Sequence, residues 1–361
     1  MQKILRRAVK QNLIIDHVRG KIVSGALLPG KRLPTHKDLE QKFEASPVTI
    51  QSALDVLIRD GFIYANGSQG TFVTVNPPHL SRFGVVFPFR QNEGSWPRFW
   101  ASLANQVAAV AQAPGRQLVI YYCGDGHSDS EDYQVLLRDV QAHRLAGLIF
   151  IKYPYPSLIG SPILEQSSLP RVALSPTPGP QGLQAVWIDR HSFIDKALDY
   201  LASKKCTRIA SLSAALGSLD PEFEAYFAKG LVARGMKTRA TWSQGLHIES
   251  AGCAGALTHL LVDRPAPHRP DGLVIMDDNL VENASSGLVA AGLRVPADIE
   301  VVAHCNFPWT APSVLAVKRL GYEASAVLQL CLDKLEQEKK GIASSKTGMV
   351  KARFEDELLK G

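Results

Sequence analysis

Residues 31 to 73 hold the stretch whose reading decides the fold of the first part of the chain. It opens Lys31-Arg-Leu-Pro-Thr-His-Lys-Asp-Leu39 and continues Ala45-Ser-Pro-Val-Thr-Ile-Gln-Ser-Ala-Leu-Asp-Val-Leu-Ile-Arg-Asp-Gly-Phe-Ile63. It closes Gly67-Ser-Gln-Gly-Thr-Phe-Val73. Thr35 is placed to cap a short helix, with Asp38 three residues on as its capping-box partner and Leu39 and Phe43 facing inward. Ser46 caps the next helix, and Pro47 stands at the first helical position, where a missing N–H costs nothing. Ile50, Leu54, Leu57 and Ile58 form the expected buried face. Thr49, Gln51, Ser52, Asp55 and Arg59 are left on outward or flanking positions, and Gly61 ends the helix. Phe62–Tyr64 and Thr71–Val75 then read as paired strands around Asn66–Gly70, because Asn and Gly tolerate positive φ. Two capped helices in tight succession followed by a hairpin describe a winged helix-turn-helix. Its second helix has a polar leading end suited to a major groove.

Working outward, Ile14, Ile15, Val18, Ile22 and Val23 form a stripe at helical spacing, which predicts a helix over Leu5–Ser24. Arg6, Arg7, Lys10, Arg19 and Lys21 lie mostly off that stripe. Gly25 suits the stop and Leu28-Pro29-Gly30 a turn. The run Gly25–Lys31 imitates a phosphate loop, but Arg32 replaces the needed Ser/Thr, and a helix precedes it where a strand is required. Charge is concentrated here: residues 1–77 hold eleven Lys/Arg against six Asp/Glu, net +5, and the remainder 29 against 28. Local basic density of this kind gives non-specific affinity for phosphate backbones.

A chain of 361 residues has room for two or three domains, and 45% hydrophobic residues can fill sizeable cores. No run of eighteen apolar residues is present and the N-terminus lacks a secretion signal, so a cytoplasmic protein with no membrane partner is expected. The five cysteines, at 123, 206, 253, 305 and 331, are scattered without a Cys-x-x-Cys pair. Reduced thiols are expected, with neither a disulfide framework nor a metal site.

The first segment resembles the GntR-type winged helix-turn-helix, whose pattern runs Gly-x-x-x-Pro-Gly-x-x-Leu-Pro-Ser, Val-Ser-Arg-x-Thr-Val-Arg-x-Ala-Leu and Gly-x-Gly-Thr-Phe-Val. The matching positions are Gly25, Pro29, Gly30, Leu33, Pro34, Thr35, Ser46, Thr49, Ala53, Leu54, Gly61, Gly70, Thr71, Phe72 and Val73. The resemblance implies DNA contact through Thr35, His36, Lys37, Ser46, Thr49, Gln51, Ser52 and Gly70. Thr35 and Ser46 serve equally well as helix caps alone, and His36 and Lys37 as solvated side chains. Pro47 and Gln51 stand where many members carry arginine. Gln can read adenine through paired hydrogen bonds, whereas Arg prefers guanine or phosphate, so an operator unlike the commonest family sites is expected.

Asn76-Pro77-Pro78-His79 marks a linker, placing the expected boundary between residues 1–77 and 78–361. Beyond it, short apolar runs alternate with amphipathic helices: Phe83–Pro88, Gln117–Tyr122, Leu145–Ile151, Arg171–Leu174 and Ala185–Asp189. A second series follows at Arg208–Leu212, Thr241, Gly272–Met276 and Ile299–Ala303. The fold class is α/β, with two lobes of parallel doubly wound sheets and ligands expected at strand carboxyl ends. This region resembles the periplasmic-binding-protein-like effector domain of the lactose/galactose repressor family over roughly residues 82–336. Val186-Trp-Ile-Asp189, Leu201–Ala210, Asp271–Asn279, Gly292–Val302 and Leu315–Lys318 carry the likeness. It implies a hinge crossover at Phe307–Lys318.

The family clamps sugars or nucleobases with polar groups, and here the chain departs. Phe223 aligns with a usual arginine, Cys305 with an aspartate (Asn306 lying beside it), and Ser175 with another aspartate. The candidate ligand set is Arg90, Trp96, Phe99, Ser175, Asp189, Phe223, Asp277, Asp278 and Asn306, with Trp100 and Asn279 nearby. The aromatic residues could stack on a ring or simply pack, and Asp189 could cap a helix instead. No catalytic fingerprint is found, so no enzyme and no cofactor are expected. The partners expected are a double-stranded DNA operator, a small-molecule effector such as a sugar, and a second copy of the chain. The function expected is a repressor relieved by its effector; the alternative is a body that only dimerises and binds nothing.

Overall fold

The structure is a computed structural model. It describes residues 2–92, 96–110, 115–123, 130–152, 158–166, 168–176, 179, 183–215, 219–266, 268–342, 345 and 347–359, with side chains from Ala8 onward. The chain begins with α1 (Gln2–Val23), α2 (His36–Phe43), α3 (Pro47–Arg59), β1 (Ile63–Ala65) and β2 (Thr71–Val73). Then come α4 (Pro78–Ser81), β3 (Arg82–Phe87), α5 (Arg98–Val110), β4 (Gln117–Tyr122), α6 (Glu131–Gln141), β5 (Gly147–Phe150) and α7 (Pro162–Glu165). These are followed by β6 (Arg171–Leu174), β7 (Gln184–Asp189), α8 (Arg190–Ser203), β8 (Ile209–Ala214), α9 (Pro221–Ala233), β9 (Ser243–Leu246) and α10 (Ala254–Val262). The last elements are β10 (Gly272–Ile275), α11 (Asp278–Ala290), β11 (Glu300–Phe307), β12 (Lys318–Glu323), α12 (Ala324–Lys339), β13 (Thr347–Lys351), β14 (Arg353–Phe354) and α13 (Glu355–Leu358). Two compact units result, one of residues 1–88 with 107–171 and one of residues 89–106 with 172–361.

In the first unit, Ile14, Ile15, Val18 and Ile22 of α1 close over Leu39 of α2, over Ile50, Leu54 and Leu57 of α3, and over Phe62 and Val73 of the hairpin. Both caps form as their residue types dictate. The Thr35 hydroxyl accepts from the Asp38 N–H while the Asp38 carboxylate accepts from the Thr35 N–H, and Ser46 accepts from the Thr49 N–H. Three expectations are corrected. The buried stripe of α3 centres on Ile50, Ala53, Leu54 and Leu57, so Ile58 falls past its edge and is 37% exposed. Thr49 is buried rather than outward, its Oγ1 lying 2.9 Å from the Ser46 Oγ. Arg19 is also buried, drawn inward by a carboxylate at Asp60. In the same unit β3 runs parallel to both β4 and β5, with Val85, Phe87, Leu148 and Ile149 buried along them.

The second unit carries a sheet in the order β14-β12-β11-β10-β8-β9, parallel except for β14. Both faces are covered, which accounts for continuous apolar runs such as Gly272–Ile275. Leu273 and Ile275 pack with Leu280, Val281 and Leu288 of α11, while Val274 packs with Ile194, Leu198 and Phe227 of α8 and α9. β7 lies between β6 and β13, parallel to each. The expected crossover at Phe307–Lys318 is corrected, because β11 and β12 are adjacent parallel strands of one sheet and the segment between them stays with it. All five cysteines are free thiols. Among the described residues, no helix is long and apolar enough to cross a membrane.

Candidate functional site

Two groups of side chains stand out, one on the winged module and one in the second unit. On the module, residues 34–38 at the start of α2 are exposed, His36 and Lys37 among them. Along α3, Val48, Gln51 and Asp55 share one outward face, and Val48 is 60% exposed. The Gln51 Nε2 donates to Asp55 Oδ1 at 2.7 Å. That bond uses one of its two protons and leaves the other, with the carbonyl oxygen, for a partner. Ser52 is half-buried and its hydroxyl accepts from the Gln11 Nε2 at 2.9 Å, which ties α3 to α1. In the wing, Gly70 takes φ +107°, and a Cβ there would lie 2.8 Å from the Arg32 Nε. The turn and the seat of Arg32 both require glycine.

Of the eight DNA-contact candidates, His36, Lys37 and Gln51 are presented outward, and Thr35 and Ser46 are exposed caps. Gly70 shapes the wing, whereas Thr49 and Ser52 hold the helix in place. Reasoning from sequence passed over Val48 and Arg32. Val48 was legible as the residue sharing the face of Gln51 and Asp55. Arg32 owes its place to the hairpin, which no local pattern shows.

In the second unit a cavity of about 590 Å³ opens beside the carboxyl ends of β8, β10 and β11. Phe99, Trp100, Trp187, Phe193, Phe223 and Tyr322 supply aromatic wall, and Arg190, Asp220, Asp277, Asp278, His304 and Asn306 supply polar groups. Asp277 caps α11, accepting from the Asn279 N–H at 2.9 Å. Burial, and then the adjacent Asp278 carboxylate, push Asp277 above the usual carboxylate range. Asp278 is 2% exposed and accepts from the Asn306 Nδ2 at 2.7 Å. Asn306 is 1% exposed, and its Oδ1 has no hydrogen-bond partner among the described residues. Among the same residues the His304 Nδ1 also has no hydrogen-bond partner, and it lies 3.8 Å from the Asp278 Oδ1. Buried polar atoms left open at a cavity wall are groups that a ligand donor satisfies.

An arginine from another element stands beside Phe223. The Arg190 guanidinium, on α8, lies 3.7 Å from the Phe223 ring centroid. It also donates to Asp220 at 3.0 Å, and this bond holds the Asp220 carboxyl below its usual range. Five expected ligand residues therefore meet at the cavity: Phe99, Phe223, Asp277, Asp278 and Asn306. Four are not among its lining residues. Asp189 caps α8 by accepting from the Ser192 N–H, Ser175 is buried with its N–H bonded to the Val186 carbonyl, and the Trp96 Nε1 donates to the Phe89 carbonyl. Arg90 is exposed after β3. Cys305 is buried, and that burial pushes its thiol up to about 12. Arg190, Trp187, His304 and Tyr322 were missed; Trp187, inside the quoted Val186–Asp189 stretch, and Arg190, next to the singled-out Asp189, had a signal in the sequence.

Comparison with known proteins agrees with both halves. Residues 10–73 match the family described as bacterial regulatory proteins, gntR family, and residues 198–350 match a periplasmic binding protein-like domain. The arabinose metabolism transcriptional repressor of Halalkalibacterium halodurans is 22% identical, over 46% of this chain and 45% of its own length, so the chain matches about half of that relative. The HTH-type transcriptional repressor PurR of Erwinia tasmaniensis is also 22% identical, over 76% of this chain and 81% of its own. A LacI-family transcriptional regulator from Lactobacillus casei with bound glucose superimposes with TM-score 0.54 at 18% identity, covering 76% of this chain and 98% of that one. That likeness speaks to the fold. The chain thus joins a segment that matches the gntR-family model, residues 10–73, to a region that matches a periplasmic binding protein-like domain, residues 198–350.

Proposed function

We propose that this protein is a transcriptional repressor that grips a double-stranded operator with its winged module and responds to a small polar effector bound by the larger region. The effector class that fits is a sugar or related metabolite: aromatic walls stack on a ring, while carboxylates and a carboxamide meet its hydroxyls. The observation that carries this reading is the Asn306 Oδ1, without a hydrogen-bond partner among the described residues, beside Asp278 in an aromatic-walled cavity. It also disfavours a body that merely dimerises, since an idle pocket would have no use for an unsatisfied buried amide.

In this reading residues 1–77 bind DNA, with His36, Lys37 and Gln51 as contacts, and residues 78–361 bind the effector and a second copy. Two modules then face a pseudo-palindromic site, and the protein acts in the cytoplasm without catalysis of its own. Effector binding shifts operator affinity by a coupling of about 1–3 kcal/mol. The test is a melting series of the full chain with pentoses, hexoses and nucleobases. A saturable rise with at least one compound, together with release of bound genomic fragments by it, supports the proposal. Fragment binding with no response to any of these classes returns the dimer-only reading.

A further inference from the structure

The recognition helix ends on a buried charge that the DNA-binding fold alone does not require. Asp60 closes α3 with its side chain only 2% exposed. Arg19 of α1 donates to its Oδ2 at 3.1 Å, and Arg144, which lies beyond the linker between α6 and β5, pairs with its Oδ1 at 2.5 Å. The other end of the Arg144 guanidinium donates to Asp139 Oδ1 at 2.9 Å. Asp139 in turn accepts from the Tyr121 hydroxyl at 2.6 Å and lies 3.5 Å from Arg82, the first residue of β3. The result is an alternating row, Arg19–Asp60–Arg144–Asp139–Arg82, from the core of the winged module to the first strand of the body.

Burying charges is costly, and apolar packing would join the same surfaces at a lower cost. What an ionic row adds is direction, because a bidentate guanidinium joins two carboxylates in one geometry only. Beside this row Phe62 stacks on His79 with ring centroids 5.9 Å apart, and a Cβ on Gly61 would meet Pro78 at 3.8 Å.

We propose that Arg144 is a positioning residue for operator binding, fixing the carboxyl end of α3 to the body by bridging Asp60 and Asp139. This rests on the DNA-binding reading above. It places on the body a residue that touches no DNA yet sets which sequences the module can hold. Freed of Arg144, the module swings on Asn76–Pro78 and engages phosphates as before, but it no longer presents α3 in one orientation.

The experiment uses the full chain, a fragment it retains from genomic DNA and a random duplex of equal length. Arg144→Met is expected to weaken binding to the retained fragment at least fivefold and to change random-duplex affinity by less than twofold. Arg144→Lys, which keeps the charge but not the fork, is expected to fall between. Asp60→Asn with Arg144→Met is expected to lose no more than the larger single loss, because both cut one row. A folding defect would instead lower both affinities together. An unchanged ratio of the two affinities in Arg144→Met and Arg144→Lys, an equal fall in both, or additive losses in the double variant overturns the proposal. Failure of the unaltered chain to retain any fragment would sink the DNA-binding reading instead.

Discussion

Gln51 stands on the outer face of α3 with its amide steered by Asp55, so one proton and one lone-pair acceptor point away from the protein. Gln51→Ala is expected to relax base preference at one operator position, costing about 1–3 kcal/mol there, with little change on random duplex. Lys37→Ala is expected to act the other way, weakening all duplexes alike and lowering the salt slope by about one. Titrations of both variants at several salt concentrations distinguish the two roles. In the cavity, Asn306→Leu removes the donor to buried Asp278. It is expected to cost about 1–3 kcal/mol of stability and to abolish any effector-induced rise in melting temperature. Residue roles were the part least open to sequence reading. Arg19 looked like one more solvated base on a polar helix face; only the return of the chain at Asp60 shows it to be buried. Thr49 looked outward because a helical wheel ignores the cap that turns its hydroxyl toward Ser46.

Short capped helices were readable because capping is local chemistry: Thr35, Ser46 and Pro47 announce α2 and α3 within a few residues of where they begin. Ser46→Ala is accordingly expected to cost about 1 kcal/mol of module stability in a denaturant titration of the full chain. The buried runs Phe83–Phe87 of β3, Val172–Leu174 of β6 and Gly272–Ile275 of β10 were equally plain, being apolar throughout. β12 to β14 and α12 were not picked out as elements. Lys318–Glu323 is half polar, and its pairing with β11 and β14 is set by residues far away in the sequence. Between α1 and α2, His17 makes an edge contact with Phe43 and lies 2.7 Å from the Lys42 Nζ. Burial first, then Lys42 and Lys21, hold its imidazole below the usual value of 6.5. Because the folded pKa lies below the unfolded one, the unfolded chain binds more protons in that interval. The contribution is therefore whole above about pH 6.5 and is lost as pH falls below it. Melting at pH 7.5 and 5.5 should show a drop that His17→Gln makes smaller; an equal drop in both proteins would remove His17 as the cause.

Over the whole molecule charge is uneven, with most of the net positive excess on residues 1–77 and a nearly balanced remainder. The two resemblances and the alternation of strands and helices made that plan visible from the sequence. The cavity's composition was visible only in part, because Arg190 and His304 reach it from strand and helix ends whose neighbours in space are distant in the chain. An effector present at about a hundred times its dissociation constant should stabilise the chain by about 2.7 kcal/mol, readable as a concentration-dependent melting temperature. The most direct measurement is the affinity of the full chain for a duplex it retains from genomic DNA, followed from about 50 to about 200 mM salt. A steep linear fall of log affinity with log salt, with a fragment preference that Gln51→Ala weakens, is the result predicted. Affinity indifferent to salt, or no retained duplex at all, would contradict the account.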